Sequence, residues 1–141
     1  MARVGGVRRG GGQAGAAFYM TLRGLDELQA AFEDISGEDL DEEMEQALAA
    51  VLEEVKEESQ RLVPYDTGLL HDSAYVQVDR SGSGQLTAYA GYDTDYAIFV
   101  HENPDAYHDP PTQWKFLEEP FMRMQPDIEM KLAQNIAEFL R

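Results

Sequence analysis

The stretch that decides the fold is LDEEMEQALAAVLEEVKEESQRL, at residues 40–62. Its apolar residues recur at spacings of three and four, which is the period of one face of an α-helix. Pro64 ends the pattern, because a proline cannot continue a helix. At ~1.5 Å per residue, a helix of this length spans about 35 Å and crosses the whole of a small domain. The predicted core face comprises Leu40, Met44, Ala47, Leu48, Val51, Leu52, Val55, Ser59 and Leu62.

Upstream of this helix, the sequence predicts an arm, a strand and a shorter helix. Half of the 12 glycines fall within residues 1–16, where almost nothing can pack, so we expect this stretch to be flexible. Residues 18–22 favour a strand, and residues 25–35 repeat apolar side chains at helical spacing. The predicted organisation is a flexible, basic, glycine-rich arm at 1–17, followed by a single α+β domain at 18–141.

Downstream, the period changes from helical to alternating. Residues 74–78 and 86–90 alternate in polarity around the turn at 81–84, which predicts a β-hairpin. The apolar run at 96–100 predicts a further strand, buried on both faces. At least three strands are then antiparallel neighbours in one sheet.

The last third of the chain predicts a loop and a helix. Several prolines make residues 103–113 a loop, after which Trp114, Leu117 and Phe121 anchor a short helical turn. Pro126 suits the first turn of an amphipathic helix that continues to the C-terminus. The predicted fold class is α+β, with a small antiparallel sheet packed against the long central helix and the C-terminal helix.

Charge is distributed unevenly along the chain. The net charge is −16, yet residues 1–23 carry four arginines and no acid, whereas the remainder carries 7 basic and 27 acidic residues. Phosphate groups are repelled by such a body, which disfavours nonspecific binding of nucleic acid. A passage through which DNA must slide would benefit from the same repulsion.

Composition disfavours several classes of protein. The chain has no cysteine, so disulfides and thiolate metal sites are excluded. No apolar run approaches the roughly 18 residues that span a bilayer, and no export signal is recognisable. Nucleophile elbows, phosphate loops and His-Glu-x-x-His patterns are absent. We therefore expect a soluble protein that is not an enzyme and holds no metal or other cofactor.

The segment that joins the long helix to the hairpin has the composition of a turn, and it also carries a resemblance. Asp66 suits an Asx-turn and Gly68 suits a positive φ. The segment Pro64-Tyr65-Asp66-Thr67-Gly68-Leu69, with Ser73 following, is similar to the Pro-x-Asp-Thr-Gly-x-Leu-x-x-Ser signature of phage tail-completion and head–tail joining proteins. Residues 96–103 and 115–121 resemble that family's Tyr-Ala-x-Tyr-Val-His-Glu strand and its Lys-Phe-Leu-Glu stretch, and residues 22–28 also match in the family's order.

The resemblance implies a structural virion protein that closes into a ring, most simply a hexamer, between the head connector and the tail tube. The implied partners are copies of the chain itself, other phage neck proteins, the tail-tube protein and double-stranded DNA that passes without specific binding. It implies assembly in the host cytoplasm and no contact with a membrane. The residues carried over as motif or structural positions are Pro64, Asp66, Thr67, Gly68, Leu69, Ser73, Tyr96, His101, Glu102, Leu117 and Phe121.

The acidic face of the long helix has two interpretations. It could line the lumen of the ring, so that DNA leaves the head without sticking, or it could face bulk solvent, as the polar face of any surface helix does. The candidate lumen residues are Glu42, Glu45, Glu53, Glu54 and Glu57.

Two other functions compete with the ring subunit. An acidic inhibitor could imitate DNA by spacing its carboxylates like phosphates, and it would then be a monomer or dimer that binds a basic enzyme. A metal-dependent hydrolase could use the pairs His71-Asp72, His101-Glu102 and His108-Asp109, since imidazole and carboxylate are common ligands. On a strand, however, His101 and Glu102 would point to opposite faces, which disfavours a shared metal.

Aromatic residues are concentrated in the sheet region. Most are expected to be core residues or cross-strand pairs, and any that stay exposed are candidate anchors of an interface. They are Tyr89, Tyr92, Tyr96, Phe99 and Tyr107.

Overall fold

The structure, a computed structural model, describes residues 3–8, 18–23, 38–82, 86–105 and 110–139. Within these ranges the chain forms four strands and five helices. In chain order they are β1 Arg3–Arg8, β2 Phe18–Arg23, α1 Glu38–Leu62, α2 Leu69–Asp72, β3 Ala74–Arg80, β4 Leu86–Tyr92, α3 Ala97–Glu102, α4 Glu118–Arg123 and α5 Gln125–Phe139. The predicted α+β fold is confirmed.

The sheet is antiparallel throughout and has the order β1-β2-β4-β3. The buried face of the inner strand β4 includes Ala88 and Ala90, both fully buried, so that the helices approach its backbone closely. Tyr92 at the end of β4 pairs with Ala74 on one side and with Phe18 on the other. The start of β2, the start of β3 and the end of β4 therefore lie at the same end of the sheet.

The long helix α1 supplies the core against which the other elements pack. Its apolar face, which includes Leu48, Leu52 and Val55, is buried against β3 and β4 and against α4 and α5. From the other side, α5 contributes Ile128 and Ile136 to the same core. The predicted helix at 40–62 and the predicted C-terminal helix are thus confirmed, within one or two residues at their starts.

A hydrogen bond between buried hydroxyls joins α1 to the sheet. Ser59 Oγ lies 2.7 Å from Tyr92 Oη, and both side chains are fully enclosed. Burial raises the pKa of the Tyr92 phenol, with the Ser59 hydrogen bond opposing that shift. The serine that interrupts the apolar face of α1 is therefore the partner of a tyrosine that would otherwise bury an unpaired hydroxyl.

Two predictions differ from the structure. No strand was predicted before residue 18, yet Arg3–Arg8 pairs with β2, because backbone pairing along a sheet edge needs no packing side chains. The strand predicted at 96–100 is wrong, since Ala97–Glu102 is helical.

The predicted helix at 25–35 lies outside the described residues, and the flexibility of the arm at 1–17 stays a prediction. No described helix is long and apolar enough to cross a membrane.

Candidate assembly surface

The turn after α1 is held by its own backbone geometry. Gly68 has a φ of 87°, in the left-handed region that favours glycine. A Cβ at Gly68 would lie 2.6 Å from Tyr65 Oη, so a larger residue here would also have to displace the exposed tyrosine ring. Thr67 Oγ1 accepts a hydrogen bond from the Leu69 N–H at 3.3 Å. The predicted positive φ at Gly68 is confirmed, and Pro64 follows the last residue of α1 by two positions.

The end of this turn is tied to the sheet and to α1. Ser73 Oγ donates to the Leu70 carbonyl at 2.8 Å and accepts from the Asp93 N–H at 3.2 Å. The Gln60 side chain donates to the His71 carbonyl at 3.0 Å. Ser73 therefore joins the turn after α1 to the turn after β4, and the motif serine has a structural role.

His101 is fully buried and joins two segments that are distant in sequence. Its Nε2 accepts the backbone N–H of Glu118 at 3.1 Å, at the start of α4, where helix N–H groups lack partners within the helix. An accepting Nε2 carries no proton, so Nδ1 carries it and donates to the Glu102 carboxylate at 3.0 Å. Burial lowers the pKa of His101, although Glu102 opposes the shift. The Phe116 ring packs edge-on against the imidazole, with ring centroids 4.9 Å apart.

Lys115 completes this junction. Its ammonium binds the Glu102 carboxylate and lies 3.0 Å from that of Glu118. Partial burial lowers the pKa of Lys115, but the hydrogen bonds to the two carboxylates raise it overall. The Lys115 N–H also donates to the His101 carbonyl at 2.8 Å. We call His101, Glu102, Lys115 and Glu118 the junction. Lys115 was not among the predicted site residues, although its spacing of three from Glu118 is typical of an ion pair.

The helical conformation of residues 97–102 corrects two further predictions. The run is not buried on both faces, and His101 and Glu102 do not lie on opposite sides of a strand. Ala97 and His101 are buried four residues apart, whereas Phe99 between them is 65% exposed. His101 and Glu102 do not point to opposite faces of a strand, since the glutamate contacts the imidazole directly. Even so, no group of three or more histidines, aspartates or glutamates suited to a metal ion occurs in the described part of the chain. His108 and Tyr107 lie outside it.

Hydrogen bonds bring several exposed segments to one end of the sheet. The Asp93 N–H donates to the Ser73 carbonyl, and the Gln113 N–H donates to the Leu62 carbonyl at 2.8 Å. Together with the junction, these bonds join the turns after α1 and β4 to α3 and to residues 113–115. Large apolar side chains on these segments are between 39% and 66% exposed. They are Tyr65, Leu69, Tyr96, Phe99 and Trp114, and we call them the aromatic end.

Exposed carboxylates surround the aromatic end. They lie on the same turns and on the loop that follows α3, and none belongs to the junction. They are Asp66, Asp72, Asp93, Asp95 and Asp105, and we call them the acidic rim. This end of the molecule thus combines apolar rings with negative charge.

Two of the predicted motif residues lie in the core and not at the aromatic end. Leu117 and Phe121 are fully buried, beside and within α4. They hold α4 against the core and do not reach the surface. Among the other aromatics, Tyr92 is buried and Tyr89 packs edge-on against Tyr19, with centroids 5.3 Å apart, as expected for core and cross-strand residues.

The candidate lumen acids on α1 are partly engaged within the chain. Glu45 pairs with Arg80 at 2.8 Å, Glu53 pairs with Lys56 at 3.1 Å, and Glu54 binds the ammonium of Lys131 on α5. Glu42 and Glu57 are exposed, and no ion pair between described residues involves either of them. The acidic stripe is therefore less negative than its sequence implies.

The buried hydrogen bonds and the exposed aromatic end are features of a structural protein that presents a surface to partners. A model of the family described as "Bacteriophage HK97-gp10, putative tail-component" matches residues 26–102, which is more than half of the chain. The chain belongs to this family, so it is a structural component of a phage tail, located in the virion and in contact with other tail proteins. No curated protein and no solved structure matches it significantly. The predicted resemblance to phage tail-completion and joining proteins is confirmed at the level of the family.

Proposed function

We propose that the chain is a ring-forming subunit at the head-proximal end of the tail, where it joins the head connector to the tail tube. The observation that carries the proposal is the aromatic end, where Phe99 and Tyr65 are about two-thirds exposed in the single chain. Several large apolar side chains exposed at one end of a protein are typical of a surface that a partner covers. Within the motif, Gly68 and Ser73 build the turn that presents this surface.

The ring in this proposal contains six copies and forms in the host cytoplasm before it enters the virion. Its partners are other copies, other neck proteins and the tail-tube protein. Double-stranded DNA passes through its lumen without specific binding, because an acidic wall repels phosphate. Glu42 and Glu57 are the lumen candidates whose charge is not balanced by a described cation, so they would contribute most to that wall.

Assembly is tested by sedimentation velocity and electron microscopy of the purified protein. We expect rings of a single size from the wild type, and weaker association from the double variant Leu69→Ser/Phe99→Ser. Met130→Ser is the matched control, because Met130 on α5 is 53% exposed but lies outside the aromatic end. A protein that stays a monomer or dimer at every concentration and binds a basic protein tightly at low salt would instead be an acidic DNA mimic.

Lining of the lumen needs a separate test, since a ring could form with α1 facing outward. The variant Glu42→Lys/Glu57→Lys should still form rings but should slow the ejection of DNA from virions that contain it. The control Glu138→Lys changes an exposed acid near the end of α5. Ejection at the wild-type rate from Glu42→Lys/Glu57→Lys virions would place α1 away from the DNA.

A further inference from the structure

Electrostatics restricts how two copies of this chain can touch. Each copy carries a net charge of −16, so most of their surfaces repel one another. Residues 1–23 are a long stretch of net positive charge, because they contain four arginines and no acid. These are Arg3, Arg8, Arg9 and Arg23. A favourable contact between copies therefore places the basic stretch of one copy on an acidic surface of the other.

The acidic rim around the aromatic end provides the complementary surface. Lys115, a cation beside the Trp114 ring, is already engaged by Glu102 and Glu118. Arg8 ends β1 at this same end of the sheet, so the cross-linking described below decides whether it meets the rim of its own copy or that of the next. Arginine fits such a surface particularly well, because its guanidinium stacks on aromatic rings while it binds carboxylates. On α1, by contrast, Glu45 and Glu54 already have cationic partners.

We propose that the aromatic end and acidic rim of one copy bind the arginine-bearing N-terminal stretch, residues 1–23, of the next copy. The proposal rests on the proposed ring and names the surfaces that close it. Around a ring, this contact is heterologous, because the N-terminal stretch of each copy meets the rim of the next copy. A symmetric dimer that exchanges its two N-terminal stretches reciprocally satisfies the same pairing, and the size of the assembly distinguishes it from a ring.

Charge reversal tests this pairing. The variant Arg3→Glu/Arg8→Glu/Arg9→Glu and the variant Asp66→Lys/Asp95→Lys/Asp105→Lys should each fail to assemble alone, because like charges then meet. Their equimolar mixture should assemble again, because every contact in an alternating ring is complementary. Recovery in the mixture also shows that both variants are folded. The control, with equal change of charge, is Glu42→Lys/Glu57→Lys/Glu138→Lys, which should assemble as the wild type does.

Cross-linking tests which surfaces touch. Because the chain has no native cysteine, each introduced cysteine is the only thiol in its copy. A copy with Val7→Cys in β1 should cross-link to a separate copy with Thr67→Cys at the aromatic end when a short bismaleimide is added. The control partner is Gly82→Cys, in the β3–β4 turn at the opposite end of the hairpin, where an added Cβ meets nothing within 4 Å. We expect at least tenfold more cross-linked dimer with Thr67→Cys than with Gly82→Cys.

The outcomes separate this inference from the proposed ring. Rings that give equal cross-linking with both partners would overturn the inference and leave the ring intact. Open filaments with strong cross-linking to Thr67→Cys would support the contact and contradict the closed ring. A chain that carries both Val7→Cys and Thr67→Cys and closes on itself at high dilution, while the separate copies do not cross-link, would place the basic stretch on its own copy and overturn the inference.

Discussion

Glu118 donates its backbone N–H to Nε2 of His101, at 3.1 Å and across 17 residues of sequence. The imidazole thereby caps the start of α4, while its other nitrogen is bound by Glu102. The two sequence blocks that resemble the tail-completion family, 96–103 and 115–121, are thus each other's structural partners.

Replacement of His101 by alanine should destabilise the fold. The change removes a fully buried ring and leaves the Glu118 N–H without its acceptor, so we expect a loss of about 3 kcal/mol in the free energy of unfolding. Urea denaturation followed by circular dichroism measures it. The control His71→Ala, at a half-buried site, should cost less than about 1 kcal/mol. Equal losses in the two variants would contradict the capping role.

Stability should depend on pH through His101. Burial lowers the pKa of His101 in the folded state below its ordinary 6.5, so the unfolded chain takes up the proton first as the pH falls. The free energy of unfolding should therefore decrease as the pH falls through 6.5, and this contribution should be fully present above about pH 7.5. The lowered pKa of Glu102 acts in the same direction, but only below its ordinary 4.5.

The measurement for this prediction is a urea midpoint taken at a series of pH values between about 5.5 and 7.5, above the range in which carboxylates titrate. His101→Gln removes the titrating ring and should flatten the profile over that interval. A profile with the same slope in His101→Gln as in the wild type would assign the dependence to other groups.

Gly68→Ala should destabilise the turn that follows α1. The backbone there has a φ of 87°, and the new methyl would lie 2.6 Å from Tyr65 Oη, so a loss of about 1–2 kcal/mol is expected. Gly82→Ala is the matched control, because nothing lies within 4 Å of its Cβ position. The double variant Tyr65→Ala/Gly68→Ala should recover part of the loss, since the clash is removed and the backbone strain is not. Thermal unfolding measures all of these variants.

The buried hydroxyl pair should behave as a coupled unit. Ser59→Ala and Tyr92→Phe each leave one buried oxygen without a partner and should each cost about 1–3 kcal/mol. The double variant Ser59→Ala/Tyr92→Phe removes both hydroxyls, so its cost should fall short of the sum by about 1 kcal/mol or more. Strict additivity in chemical denaturation would show that the 2.7 Å contact contributes little to stability.

The elements predicted correctly are those whose local pattern is long. The apolar face of residues 40–62 repeats over several helical turns, and the alternation at 74–78 and 86–90 is bounded by turn residues, so each pattern favours one structure. Residues 96–100 are too short for the period to decide, because a run of five apolar residues suits a buried strand or a helix equally well. The burial of Ala97 and His101 on one side of α3 resolves it.

The junction could not be predicted from spacing alone. Its main bonds join His101 and Glu102 to Lys115 and Glu118, and such contacts are set by the tertiary fold. The resemblance identified the same residues as motif positions without assigning their contacts. The edge strand β1 escaped prediction for a different reason, since its pairing with β2 uses backbone groups that every sequence offers.

Because of the junction, the stability of the fold depends little on how many residues lie between Glu102 and Lys115. Both ends of that loop are fastened at its base, by the ion pair and by the bond from the Lys115 N–H to the His101 carbonyl. The entropic cost of a closed loop grows slowly with its length, by roughly 0.6 kcal/mol for each doubling. An insertion in this stretch that leaves the Gln113–Leu62 hydrogen bond intact should therefore cost little stability, so an epitope tag or fluorophore could be grafted there without disturbing the core.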